Sequence, residues 1–167
     1  MDATIIFPHQ LFSSSSALKR SRKTFIIRDP LFFNDKKYPV RFHKNKILLH
    51  ILSTDYYRSE LVERGYDVQL VTEKELIGEN YFDSFFKKNN INEVHYCDPV
   101  DYTITKRLDH SINSLSIKSY KYDTPGFMLE ESDVFDHFTN KKSHFMAAFY
   151  KKQRKRYNIL MNDDGTP

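Results

Sequence analysis

Short runs of β-branched and aromatic residues, set between polar loops and stretches of helical periodicity, constrain this chain more than any other feature. The runs are Thr4–Phe7, Thr24–Ile27, Asp67–Val71, Glu93–Tyr96 and Ser116–Tyr120. The first two do not alternate cleanly, as expected of strands covered on both faces of a parallel sheet. Between and after the runs lie segments with helical spacing. His43–Arg64 places Ile47, Leu48, Ile51, Leu52, Leu61 and Val62 on one side, and Gly65 stands where a C′ glycine would end that helix. Asn80–Asn89 carries Tyr81, Phe82, Phe85 and Phe86, and Asp101–Asn113 carries Ile104, Leu108 and Ile112. Ser132–Phe138 and Ser143–Tyr157 follow, the latter with Phe145, Met146, Phe149 and Tyr150 on one side. Strands alternating with helices predict an α/β fold: an open, mostly parallel five-stranded sheet with helices on both faces.

Composition narrows the function classes. A chain of 167 residues with 40% hydrophobic content can bury a core without disulfides or a metal. Cys97 is the single cysteine, so no disulfide forms within the chain, and a reducing compartment fits. No apolar run approaches the roughly 20 residues of a membrane span, and the start Met1–Pro8 lacks the basic head of a signal peptide. The expectation is a cytoplasmic protein. With 4 glycines there is no G-x-G-x-x-G phosphate cradle, and no G-x-S-x-G elbow occurs. The histidines form no H-x-x-x-H pair. The sequence therefore presents no catalytic constellation and no metal site.

In a sheet of this kind ligands bind beyond the carboxyl ends of the strands. The segments there are Pro8-His9-Gln10-Leu11, Arg28-Asp29-Pro30-Leu31-Phe32-Phe33 and Cys97-Asp98-Pro99-Val100-Asp101-Tyr102. Carboxylates, an amide and aromatic faces suit a flat heterocycle that stacks through its ring and is hydrogen-bonded at its edge. Ordinary turn chemistry is the competing reading, because Asp-Pro pairs are frequent in loops. Lys141, Lys142, Lys151, Lys152, Arg154, Lys155 and Arg156 follow one another with no intervening Asp or Glu. Such a segment serves a polyanion or simply keeps a helix face solvated.

Several stretches together resemble a known family. They are Ile5-Ile6-Phe7-Pro8-His9-Gln10-Leu11; Phe42 through His50 with Gly65-Tyr66-Asp67-Val68; Asp98-Pro99-Val100-Asp101-Tyr102; and Lys141 through Met146 with Phe149 through Met161. In order and spacing these are similar to the bacterial photolyase-related proteins, the iron–sulfur branch of the photolyase and cryptochrome superfamily. The resemblance implies a Rossmann-like N-terminal domain that holds an antenna chromophore, a ribityl-lumazine or a related pigment. It also implies a helical domain, absent from this chain, that carries FAD and a four-cysteine iron–sulfur cluster. The family's chemistry is light-driven electron transfer from reduced FAD to a DNA photoproduct. Carried over by resemblance, the antenna-binding candidates are Gln10, Asp29, Phe32, Tyr38, Asp98, Pro99 and Tyr102. The DNA-binding candidates are Lys142, Lys151, Lys152, Arg154 and Lys155. Pro8-His9 departs from the family's frequent Gly-Asp before Gln-Leu. The expected organisation is an antenna-binding domain over 1–140, then a basic helix and the start of a linker over 141–167. The expected partners are DNA and the missing flavin domain. A free-standing nucleotide- or nucleic-acid-binding module, or a fragment without function, is the alternative.

Overall fold

The computed structural model describes residues 1–140 and 142–166; Lys141, at the head of the basic segment, and the terminal Pro167 lie outside the described residues. The chain forms two compact units, one spanning Met1–Gly126 and the other beginning at Phe127.

In the first unit the elements run β1 (Asp2–Ile6), β2 (Lys23–Ile27), α1 (Lys44–Glu63), β3 (Val68–Val71), α2 (Tyr81–Lys88), β4 (Glu93–Cys97), α3 (Tyr102–Ser114) and β5 (Lys118–Tyr122). They make one 5-stranded sheet in the order β3-β2-β1-β4-β5. Every neighbouring pair is parallel, so the sheet is wholly parallel. The pleat sends successive side chains to opposite faces. Ala3, Ile5, Phe7, Phe25 and Ile27 meet the aromatic side of α2 and Ile104, Leu108 and Ile112 of α3. Ile6, Ile26 and Val68 meet Tyr57 and Leu61 of α1. Helices thus cover both faces, and the buried strand residues are apolar on both sides.

Helix ends are set by local chemistry. Gly65 takes a φ of 83°, and Tyr66 donates its amide to the Leu61 carbonyl, closing α1 in a Schellman motif as the glycine predicts. Asn90 and Ser116 close α2 and α3 in the same left-handed way. The closure at Ser116 uses Ile117, whose amide bonds Ile112 O. The fifth strand therefore starts at Lys118, two residues later than its β-propensity suggests.

One expectation for α1 is overturned. Leu48, Leu52 and Val62 were expected in the core and are exposed. The buried residues of α1 are Thr54, Tyr57 and Leu61, and at about 100° per residue Leu48 and Leu52 fall on the opposite side. The helix is apolar on two faces, so its sequence does not reveal which one packs on the sheet.

The second unit contains α4 (Glu131–Phe138) and α5 (Met146–Tyr157). Phe149 packs its ring 4.8 Å from His137 and 5.2 Å from Phe138. Arg156 pairs with Asp133 at 2.6 Å. Phe145, Met146 and Tyr150, read as sharing an apolar side with Phe149, are exposed. Helix α5 starts at Met146, with Phe145 as its N-cap residue, three positions after the expected start. Among the described residues no helix is long and apolar enough to cross a membrane.

Candidate ligand cleft at the strand ends

Strand order reverses beside β1, between β2 and β4, and there the loops after β1 and β4 are stitched together. Gln10 is buried, and its Nε2 donates to the carbonyls of Cys97 at 3.2 Å and Asp98 at 2.8 Å. Its Oε1 is buried with no hydrogen-bond partner among the described residues. His9 Nε2 donates to Pro99 O at 2.7 Å, and the His9 ring lies 5.2 Å from Phe32. Phe32 in turn meets the His50 ring edge-on at 5.3 Å. Burial, then the charges of Lys46 and His9, push the His50 imidazole below its usual value. His9 thus closes the gap between the two loops with its own ring.

A larger cleft of about 820 Å³ opens where the loops after β2 and β3 meet the first turns of α2 and α3. Tyr38, Tyr81 and Tyr102 supply aromatic surface to it, and Asp35 and Arg107 a charged pair. Arg107 reaches Asp35 at 2.5 Å, and its guanidinium lies 5.6 Å over the Tyr38 ring and 5.5 Å over the Tyr81 ring. Behind them, fully buried Asp29 takes the Tyr81 hydroxyl at 2.5 Å and the Leu31 amide at 2.9 Å. Burial pushes the Asp29 carboxyl above the ordinary range, more than the Tyr81 and Leu31 hydrogen bonds and the Arg107 charge pull it down. Burial also acts to raise Asp35, but there the Arg107 hydrogen bond and the amides of Tyr38 and Lys37 win, and the carboxyl sits below the usual range. Burial and the adjacent Asp29 charge hold Tyr81 strongly protonated, so it is a fixed donor. Lys36, Lys74 and Lys106 stand on the rim. An arrangement of tyrosine rings, a fixed guanidinium and a cationic mouth can stack a flat ring and hold an acidic substituent. It contains no nucleophile–base pair, and no group of His, Cys, Asp and Glu suited to a metal occurs among the described residues.

The antenna candidates fall in separate places. Tyr38 and Tyr102 line the cleft. Asp29 stands behind it, joined through Tyr81 and Arg107. Gln10 and Pro99 hold the β1 and β4 loops together, and Phe32 lies between His9 and His50. Asp98 caps its own turn through the Val100 amide at 2.9 Å and pairs with Lys121 at 3.1 Å. Burial works against that carboxylate, yet these two contacts keep it below its usual pKa. Sequence reading passed over Asp35, Tyr81, Arg107 and the rim lysines. Asp35 left one signal: an Asx-type residue ahead of Tyr38-Pro39, whose Oδ1 accepts the amides of Lys37 and Tyr38. Arg107 left none, because a lone arginine within a helix reads as a solvated residue.

In the second unit Lys142, Lys151, Lys152 and Lys155 are exposed. Arg154 is partly buried; it donates Nε to Ile159 O at 3.2 Å and lies 5.8 Å over the Tyr150 ring. The basic residues gather in the last turns of α5, where the helix dipole favours them.

Fold and cleft together define a doubly wound, all-parallel α/β domain with a ligand-sized opening at its strand ends. The chain belongs to the deoxyribodipyrimidine photo-lyase-related protein family, whose model matches residues 4–167. It is also similar to an uncharacterized protein, R852, of Acanthamoeba polyphaga mimivirus, with 32% identity over 168 residues covering 95% of this chain and 84% of that protein. The match bears out the photolyase-related family read from the scattered sequence stretches; the iron–sulfur branch is not part of what it shows.

Proposed function

We propose that this chain is an antenna-chromophore-binding domain of a cryptochrome/DNA photolyase-like protein, and that the cleft holds the pigment. One observation carries the reading: a family member places tyrosine rings and the Asp35–Arg107 pair around a cleft of about 820 Å³ at the carboxyl ends of its strands. The pigment, a ribityl-lumazine or a related ring system, supplies absorption of blue or near-ultraviolet light and passes excitation to a flavin. The chain's own residues bind and orient it. Tyr38 and Tyr102 offer stacking faces and Arg107 a fixed planar cation, while Tyr81 gives its hydroxyl to Asp29 and holds the wall of the cleft in place. In this reading FAD would be held by a separate helical domain, as would the iron–sulfur cluster of the family's bacterial branch, for which Cys97 alone cannot supply the ligands. Repair of DNA photoproducts then requires both parts. Titrating the purified chain with ribityl-lumazine and with riboflavin, read by ligand anisotropy, tests this. Saturable binding at micromolar concentration that Tyr102→Ala weakens is expected, and no binding of either ring system at about 100 µM rejects the assignment.

A second reading concerns α5. Lys142, Lys151, Lys152 and Lys155 project into solvent, and Arg154 adds charge beside them. These residues support contact with DNA phosphates, which is independent of sequence and steeply salt-dependent. In a salt titration of binding to a DNA duplex, Lys151→Gln with Lys155→Gln lowers the slope by about 2. An unchanged slope returns these residues to the role of solvating a helix. A steep slope in a chain that binds no ring ligand favours a free-standing nucleic-acid-binding module over an antenna domain.

A further inference from the structure

The outward side of α1 is apolar. Leu48, Leu49, Leu52 and Tyr56 are 52%, 63%, 58% and 74% exposed. They lie within one arc of about 100°, opposite the side that packs on the sheet through Thr54, Tyr57 and Leu61. Single exposed leucines are ordinary; a contiguous row of them with a tyrosine marks a contact surface. The row borders a shallow, open hollow of about 420 Å³ lined by Leu11, Leu49, Leu52 and Tyr56.

Charge along the helix says what fits there. Lys44 and Lys46 stand in the first turn, which has no acidic residue. Glu60 and Glu63 stand at the other end, where the last turn has no basic residue. Glu60 shares Arg64 at 3.3 Å, and Glu63 closes the helix. This order opposes the helix dipole, which favours acids at the N-terminus and bases at the C-terminus. It becomes favourable against a second helix of the same sequence running the other way. A twofold axis near Ser53 sets Lys46 of one copy against Glu60 of the other, and sets Leu52 and Tyr56 of each copy over the other's leucine row. The helix has 20 residues, about 30 Å of length, so both ends of the pair can meet. An isologous contact of this kind is the commonest closed arrangement of identical chains.

We infer that the chain self-associates as an antiparallel α1–α1 dimer, with Leu48, Leu49, Leu52 and Tyr56 at its centre and Lys44/Lys46 against Glu60/Glu63 at its ends. Analytical ultracentrifugation of the full chain tests it. The wild type is expected to sediment as a dimer, and Leu52→Arg as a monomer with the wild-type circular dichroism spectrum and a cooperative melt. Lys44→Glu with Lys46→Glu, and separately Glu60→Lys with Glu63→Lys, each place like charges together and give monomers. Mixing these two variants restores opposite charges and gives a mixed dimer. A wild type that stays monomeric at about 100 µM overturns the proposal and assigns the face to another occupant. A dimer indifferent to Leu52→Arg, or two charge-reversed chains that fail to pair on mixing, overturns it equally. Because an arginine at an exposed position leaves the core intact, loss of the dimer with an unchanged spectrum and a melt that no longer depends on protein concentration separates lost association from misfolding.

Discussion

The Asp35 carboxylate receives the Arg107 guanidinium at 2.5 Å although 72 residues separate them in the chain. Asp35 is nearly buried and the Arg107 side chain is 15% exposed, so neither charge is well solvated if the other is removed. Breaking such a pair from one side leaves an uncompensated charge. Asp35→Asn is expected to destabilise the chain by about 3 kcal/mol, lowering the melting midpoint by roughly 6–12 °C. Arg107→Met should cost a similar amount, and the double substitution less than the sum of the two. Additive losses in a denaturant series would show that the pair is not an energetic unit.

The two buried carboxylates give opposite pH responses. Burial holds Asp29 above its usual range, so the native state binds a proton there more readily than the unfolded chain. Its contribution to stability is therefore complete below about pH 4, the unfolded value, and is lost as pH rises through the raised native value. Asp35 is held below its usual range, so its contribution is present above about pH 4 and is lost as pH falls through the lowered native value. Relative to Asp29→Asn, the wild type should gain stability as pH is lowered from neutrality towards about 4. Urea midpoints measured across that range check the sign, and a difference that widens in the other direction contradicts it.

Val100 adopts a φ of 52°, a left-handed conformation that a β-branched side chain tolerates poorly. The turn is imposed around it: the Val100 amide bonds Asp98 Oδ1 at 2.9 Å, and Asp101 caps α3 through the Ile104 amide at 2.9 Å. The Val100 side chain is exposed and contributes little packing. Val100→Gly relieves about 1–2 kcal/mol of backbone cost against a loss of roughly 0.5–1 kcal/mol of chain entropy. A small net stabilisation in a thermal melt is expected, and Val100→Ala should lack it.

The rim of the cleft bears on ligand choice. Lys36, Lys74 and Lys106 surround an opening that also carries Glu73 and two paired charges, Asp35 with Arg107 and Lys37 with Glu79, so cations outnumber acids on it. If the cleft holds a ribityl ring system, a phosphate on its tail should strengthen binding. Flavin mononucleotide is expected to bind roughly tenfold more tightly than riboflavin, a difference of about 1.4 kcal/mol, and the advantage should fade with added salt. Replacing the three lysines by Gln should remove the advantage and leave riboflavin affinity unchanged. Equal affinities in the wild type would make the rim charges irrelevant to binding.

Much of the architecture was legible because it rests on local rules. Gly65 marks the end of α1, the aromatic spacing of Tyr81, Phe82, Phe85 and Phe86 makes α2 one-sided, and the unalternating runs at Thr4–Phe7 and Thr24–Ile27 call for strands covered on both faces. The site was less legible. Gln10 and Asp29 carry the look of ligand residues, yet Gln10 spends its amide on the Cys97 and Asp98 carbonyls and Asp29 accepts the Tyr81 hydroxyl. Nothing near Arg107 in the sequence reveals that it meets Asp35.

What the amino-acid order determined by itself is periodicity, turn chemistry and family: which segments are strands and helices, where they stop, and which proteins share them. Periodicity and turn chemistry depend on residues within a few positions of one another, and the family on the order of such stretches along the chain. Tertiary structure alone decided that α1 turns Tyr57 and Leu61 to the sheet and Leu48, Leu52 and Tyr56 to solvent, because a helix apolar on two sides has no preference until one side packs on Ile6, Ile26 and Val68. It alone decided that Asp35 and Arg107 would neutralise each other inside a cleft, because crossing the sheet at the reversal of strand order brings together loops that the chain keeps far apart.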